Sequence, residues 1–299
     1  MSAKLMGFVR LARPANLPTA AADICAGMAI GLFFHGIEMM DFIQKNPAQV
    51  LMLVFSSIFL YAGGVVFNDV FDAKLDAIER SERPIPKGIV KLPQAMIWGI
   101  FLLLTGIILA FLTTKWSGYV ALVLTLAIFT YDASAKKHAF FGPLNMGICR
   151  GLNLILGISV IGTVALAWIA IIPVLYIFAI TLISRGEVHG NNKSHLLWAG
   201  VLFAMVIIGM AVCTHIFTGN LALGIPFLLL FAFLIFRPLI RAYRINSPER
   251  IKKAVISGVL SLIVMDACWM AGFSNWSLAL GVLLFLPLSL LLSKLFAVT

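Results

Sequence analysis

Asn68-Asp69-Val70-Phe71-Asp72-Ala73-Lys74-Leu75-Asp76 lies where a run of about twenty apolar residues, enough to cross a bilayer, gives way to a basic loop. Asn68, Asp72 and Asp76 recur every four residues, so a helix continuing past the membrane boundary turns all three the same way, with Asp69 one position round. Like charges at that spacing repel unless something positive sits among them. Hard oxygen ligands on one face suit Mg²⁺, which keeps several waters and shares its shell with substrate phosphates rather than entering an all-protein cage. A Mg²⁺-bridged diphosphate is the leading reading, and a solvated helix end is the plainer one. Scarcity favours the first: Asp and Glu total 12 in the chain, and three of the Asp fall in this stretch.

The rest of the composition says where that stretch sits. With 62% hydrophobic and 11% charged residues and a mean hydropathy of +1.05, the chain cannot hide its apolar surface inside a water-soluble globule, and it reads as an all-α polytopic membrane protein. The net charge of +10 is spread over short loops rather than one face, which argues for membrane topology and against nucleic acid. Cys25, Cys149, Cys213 and Cys268 fall inside apolar runs with no CxxC and no neighbouring His, and read as small buried hydrophobes. Residues 1–13 carry Lys4 and Arg10 and lead into the first apolar run without a clean cleavage site, as a retained amphipathic segment on the cytosolic side.

Apolar runs long enough to span the membrane are expected at 16–36, 48–71, 94–113, 117–133, 142–162, 165–184, 196–217, 220–237, 252–272 and 275–296, the fourth being short. Of 22 Lys and Arg, only Lys45 and Lys115 fall on the side that Glu38 and Asp41 occupy. The others share the opposite side with both termini, which the positive-inside rule makes cytosolic, and Asp69, Asp72 and Asp76 lie there too. No linker divides the chain, so 1–299 reads as a single transmembrane domain.

Further polar residues cluster at that side. Helix one opens with Arg13-Pro14-Ala15-Asn16-Leu17-Pro18, prolines that suit a first turn, and holds Asp23 deep in its apolar run. The loop 77–93 contains Arg80, Arg83, Pro84, Pro86 and Lys87, cations able to neutralise a diphosphate held by metal. After helix four come Tyr131-Asp132 and Lys136-Lys137-His138. In helix five Asn145 and Asn153 share a face, and Arg150 needs an anionic partner, either Asp132, a substrate or another acid in the bundle. Gly147 and Gly151 form a GxxxG pair expected to serve packing. The loop 184–195 offers Glu187, His189, His195, Asn191 and Asn192 without any zinc-binding spacing. The stretch 237–253 reads as a basic loop of six cations and Glu249, and Asp266 is a second deep carboxyl.

These residues resemble the UbiA superfamily of intramembrane prenyltransferases. Asn68-Asp69-x-x-Asp72-x-x-x-Asp76 is similar to its first Asp-rich motif, Arg83-Pro84-Ile85-Pro86-x-Gly88 to the segment after it, Arg13-Pro14-x-Asn16 to its helix-one signature, and Tyr131 with Lys136 to its middle loop. Asn145-Met146-Gly147-x-Cys149-Arg150-Gly151-x-Asn153 and the Ser184-Arg185-Gly186-Glu187-Val188-His189-Gly190 run resemble a bacterial branch called EboC-like. One departure stands out: where the family's second Asp-rich motif belongs, the chain has Ser184 in place of an Asp and a single carboxylate, Glu187.

The resemblance implies a bundle of nine to ten transmembrane helices around a central cavity, capped by cytosolic loops, in a bacterial inner membrane. It implies Mg²⁺-dependent transfer of a prenyl group from an isoprenyl diphosphate to a lipophilic or aromatic acceptor. Asn68, Asp69, Asp72 and Asp76 would hold Mg²⁺, with Glu187, helped by Asn191, at a weaker second ion. Asn16, Arg83, Lys136, Arg150 and Arg185 would bind the diphosphate, and Tyr131 would face the developing cation. The rivals are a cyclase acting on the same diphosphate and a non-catalytic prenyl-lipid binding or transport protein.

Overall fold

The computed structural model describes residues 3–187, 190 and 192–296. Its regular elements are helical: α1 Ala3–Leu11, α2 Leu17–Phe33, α3 Met39–Lys45, α4 Pro47–Phe71, α5 Ala73–Glu79, α6 Leu92–Thr113 and α7 Lys115–Ala133. They continue with α8 Phe141–Ile158, α9 Ile171–Ser184, α10 Lys193–Thr218, α11 Leu221–Ile245, α12 Pro248–Phe273, α13 Trp276–Leu283 and α14 Phe285–Phe296. Among the described residues, 10 segments are long and apolar enough to cross a membrane, at nearly the positions hydropathy gives.

The bundle is apolar inside and out. Every residue from 261 to 273 is buried, as is every residue from 18 to 32 except Cys25, so α2 and the second half of α12 form the centre. Around them the other helices turn large apolar side chains outward, among them Phe55, Ile97, Leu126, Ile216 and Leu229. That surface is stable only against lipid tails, so the protein is an integral membrane protein. The helices approach closely where side chains are missing: a Cβ on Gly27 would meet Leu154 O at 2.3 Å, and one on Gly157 would meet Ile24 O at 2.6 Å. The α2 and α8 backbones therefore touch. Gly147 and Gly151 likewise pack against Val174 of α9.

The first spanning helix begins where the prolines place its first turn: Arg13 takes a left-handed φ of 46° before the short turn Pro14–Asn16, and α2 follows at Leu17. Two boundaries differ from the sequence reading, each for a local reason. The stretch 237–253 is not a loop, because α11 runs on to Ile245 and α12 starts at Pro248, leaving a two-residue turn. Arginine is a good helix former whose stem lies along apolar surface while its head reaches water, so the charges do not end the helix. The last span divides at Leu284, since Pro287 has no N–H for the carbonyl four residues back and crowds it.

The connections after α5, α7, α9 and α11 meet at one end of the bundle. Lys136 Nζ reaches Asp72 Oδ1 at 2.6 Å, Arg185 Nη2 donates to His138 O at 2.8 Å, and Asn192 N donates to Asn246 Oδ1 at 3.2 Å. Single cysteines placed at Glu82 and at Arg185 in a background without the native four should therefore react with an impermeant thiol reagent from the same face of sealed vesicles. Labelling from opposite faces would break the helix count.

Candidate functional site

The carboxylate stretch sits at that end, across the junction of α4 and α5. Helical bonding continues through it, with Asp72 N donating to Asn68 O at 3.0 Å and Asp76 N donating to Asp72 O at 2.8 Å. Asp69 and Asp76 are buried at 5% and 3% exposure, and Arg83 at 6%. Arg83 Nη1 lies between them, 3.1 Å from Asp69 Oδ1 and 2.6 Å from Asp76 Oδ2. What aims Arg83 is the segment that follows it. Ile89 N and Val90 N both bond Pro84 O, Gly88 supplies the left-handed φ of 74° that the turn requires, and Val90 is fully buried in a small core with Leu11, Ala62, Val66, Ala95 and Leu102.

Two other chain segments close the site. Arg13 Nη2 reaches Asp69 Oδ1 at 2.6 Å, from a non-glycine residue held at positive φ. Asn68 Nδ2 donates to Asp132 Oδ1 at 2.7 Å. Lys136 stands 3.6 Å from Asp132 and 2.6 Å from Asp72. Four carboxylates thus face three cations, and the ion-paired set keeps one negative charge in excess. One oxygen of each carboxylate is occupied, while the second makes no hydrogen bond among the described residues.

The remaining site residues fall into two groups. Tyr131, half-buried, lies within electrostatic reach of Asp132, Asp72 and Arg13. Asn16 begins α2 next to Arg13, and its side chain makes no cap bond. Arg185 is exposed and held by His138 O, away from the carboxylates. Glu187 does not join them either: its charged neighbours are Lys252 and Arg80, and burial pushes its carboxyl above the usual range against their pull. Asn191 and His189 lie outside the described residues.

Arg150 is not paired with Asp132. Its Nε lies 2.6 Å from Asp23 Oδ2 and its Nη2 3.9 Å from Asp266 Oδ2, while Nη2 also donates to Thr19 O at 2.7 Å. The backbone contact at Gly27 and Gly157 holds α8 against α2, the helix that carries Asp23. Arg150 therefore belongs to a network inside the bundle.

Among the described residues no three His, Cys, Asp or Glu side chains gather as a metal cage would need. The donors still fit a shared Mg²⁺. They are hard oxygens, each carboxylate has an oxygen to spare, and a diphosphate would complete the shell. Glu187 can leave a trace in stability: because its carboxyl is pushed up, the ionised form costs the folded state above that raised value, and the cost vanishes once pH falls below the unfolded value. Glu187→Gln should therefore raise the melting temperature at pH 8, with the gain fading toward pH 4. A pH-independent difference would exclude this account.

Two sequence signals went unread. Asp132 and Lys136 are four apart on one helical face, and Arg13 precedes Pro14 in the same signature as Asn16. Both lead to the ion pairs above.

An apolar bundle with buried ion-paired carboxylates, arginines and a lysine at one mouth is the build of a membrane protein that handles a charged headgroup attached to a lipophilic tail. The chain belongs to the UbiA prenyltransferase family, whose pattern it matches over residues 39–256. It is 32% identical over 184 residues to digeranylgeranylglyceryl phosphate synthase of Methanosarcina mazei, covering 60% of this chain and 64% of that protein. The enzyme of the same name from Methanococcoides burtonii is 36% identical over 115 residues, covering 38% of this chain and 41% of that protein. The matched regions thus span less than two thirds of these relatives. Among solved structures, a digeranylgeranylglyceryl phosphate synthase superposes with a TM-score of 0.67 at 20% identity, over 91% of this chain and 99% of the other. A UbiA homolog from Archaeoglobus fulgidus bound to GPP and Mg²⁺ superposes with a TM-score of 0.62 at 14% identity, over 84% of this chain and 99% of the other. At such identities the likeness establishes the fold.

Proposed function

We propose that the chain catalyses Mg²⁺-dependent transfer of a prenyl group from an isoprenyl diphosphate to a lipophilic acceptor, at a site facing the cytosol. The observation that carries this reading is the mouth itself, where Asp69, Asp72, Asp76 and Asp132 each hold a cation on one oxygen and keep the other free. Asp69, Asp72, Asp76 and Asp132 would hold Mg²⁺, and the ion would supply charge stabilisation for the departing diphosphate. Arg13, Arg83 and Lys136 then exchange carboxylate oxygens for phosphate oxygens, Arg with a bidentate fork and Lys as a point charge. Asn16, beside Arg13, is placed to donate to the same headgroup. Tyr131 lies at the inner edge of the set, where its ring can face an allylic cation while apolar walls exclude water. The names of the relatives describe making digeranylgeranylglyceryl phosphate, and on that ground a lipid-linked acceptor is favoured over a small aromatic one. The excess of Lys and Arg at this end supports the cytosolic orientation.

The test is pyrophosphate release by the full chain, given a panel of prenyl diphosphates, with and without Mg²⁺ and a prenylated glyceryl phosphate acceptor. Release that needs both metal and acceptor is expected. Release with a cyclic product and no acceptor would make the chain a cyclase, and binding without release would make it a non-catalytic carrier.

A further inference from the structure

The cations at the other side of the same end face no diphosphate. Arg237 and Arg241 of α11 and Arg250 and Lys253 of α12 line a cleft of about 200 Å³ whose remaining wall is Phe233, Leu234, Pro238 and Ser257. We propose that this cleft binds the phosphate headgroup of an anionic membrane lipid, with the lipid's chains running down along Phe233 and Leu234.

The cleft is built by the sequence. Pro238 has no N–H to offer Leu234 O, one turn back in the interior of α11. Ser257 of α12 takes that place, its Oγ donating to Leu234 O at 2.7 Å. The bond pins the two helices together at the floor of the cleft, while the two-residue turn Asn246-Ser247 joins them above. Arginines at 237 and 241 are one turn apart on α11 and face Arg250 and Lys253 across the gap. Together these cations give the cleft a positive potential that attracts an anion.

The cations are also available. Lys253 pairs with exposed Glu249 at 2.6 Å. Arg237 and Arg241 make no ion pair among the described residues, while Arg250 shares Glu249 with Lys253 only at longer range. Arg237 lies 5.2 Å from the centre of the Phe233 ring, a contact that uses the guanidinium face and leaves its N–H edges free to donate. A membrane lipid suits the site better than free phosphate because Phe233, Leu234 and Pro238 give the wall an apolar side and Phe233, more than half exposed, lies on the lipid-facing surface. Basic clefts between transmembrane helices at the cytoplasmic boundary suit such headgroups.

The experiment reconstitutes the full chain in phosphatidylcholine nanodiscs with and without phosphatidylglycerol, extracts it into neutral detergent, and counts retained lipid by native mass spectrometry. One phosphatidylglycerol per chain should persist in preference to phosphatidylcholine. Each charge removed should weaken retention about five-fold, so Arg241→Gln with Arg250→Gln should weaken it roughly 25-fold. The single variants serve if the double variant melts early. Arg244→Gln, on the same helix but outside the cleft, should change nothing. Equal retention of the two lipids, unchanged retention in the variants, an equal loss with Arg244→Gln, or displacement of the lipid by millimolar inorganic phosphate would each overturn the assignment.

Discussion

Asp72→Ala should lower Mg²⁺-dependent pyrophosphate release by roughly 10³-fold, the order lost when one preorganised charge-stabilising group is removed, while the melting temperature hardly moves. Asp72 is the central carboxylate of the helical series and the most accessible, its side chain 24% exposed and held by a single ion pair to Lys136. A partly exposed pair of this kind contributes about 0–1 kcal/mol, so the fold does not depend on it. Asp69 is the contrast. It is buried and carries both Arg13 and Arg83 on one oxygen, and Asp69→Ala would strand two guanidiniums at the mouth. That variant should lose stability as well as turnover. If Asp72→Ala keeps full turnover with Mg²⁺, the metal assignment falls. If it unfolds the protein, the division of labour between Asp72 and Asp69 is wrong.

How much of this could be read in advance depends on the length scale of the signal. The spans are legible because a helix must bury about twenty apolar residues to cross the bilayer, and they fail where a local exception acts, at Pro287 and at the arginines that prolong α11. The four-residue spacing of Asn68, Asp72 and Asp76 is equally local and survives the junction of α4 with α5. Partners far apart in sequence are not legible. Arg13 meets Asp69 across 56 positions and Lys136 meets Asp72 across 64, and such pairings follow from how the helices pack. Arg150 shows the limit: its need for an acid follows from its depth, but that the acid is Asp23, 127 positions away on α2, follows only from how α2 and α8 pack, with Gly27 and Gly157 in contact. The second motif shows another. Ser184 turns its hydroxyl to Thr181 O and Glu187 sits among cations, a pairing that comes from the fold rather than from the local pattern.

Arg150→Met should cost about 3–5 kcal/mol, the usual result of removing one partner from a buried ion pair. Asp23 and Asp266 are both fully buried, on α2 and α12, and this guanidinium is their shared cation. Asn153 supports the arrangement by donating to Asp23 Oδ2 at 2.8 Å while accepting from Ser57 Oγ at 2.7 Å, which ties in α4. Asp23 and Asp266 also lie within hydrogen-bond reach of each other, so Arg150 is the one cation set against two neighbouring buried carboxyls among the described residues. At 2–4 °C per kcal/mol for a chain of this general size, the melting temperature should fall by roughly 10 °C. The loss should come from an uncompensated buried carboxyl rather than from missing volume, since Met fills most of the space of the Arg stem. Arg150→Met combined with Asp23→Leu and Asp266→Leu should therefore recover much of the stability, because an apolar replacement of a whole buried ion set is often nearly neutral. Thermal unfolding of the parent, the single and the triple variant in the same detergent decides the matter: a single variant that melts with the parent, or a triple variant no better than the single, would show that Arg150 does not hold the centre of the bundle together.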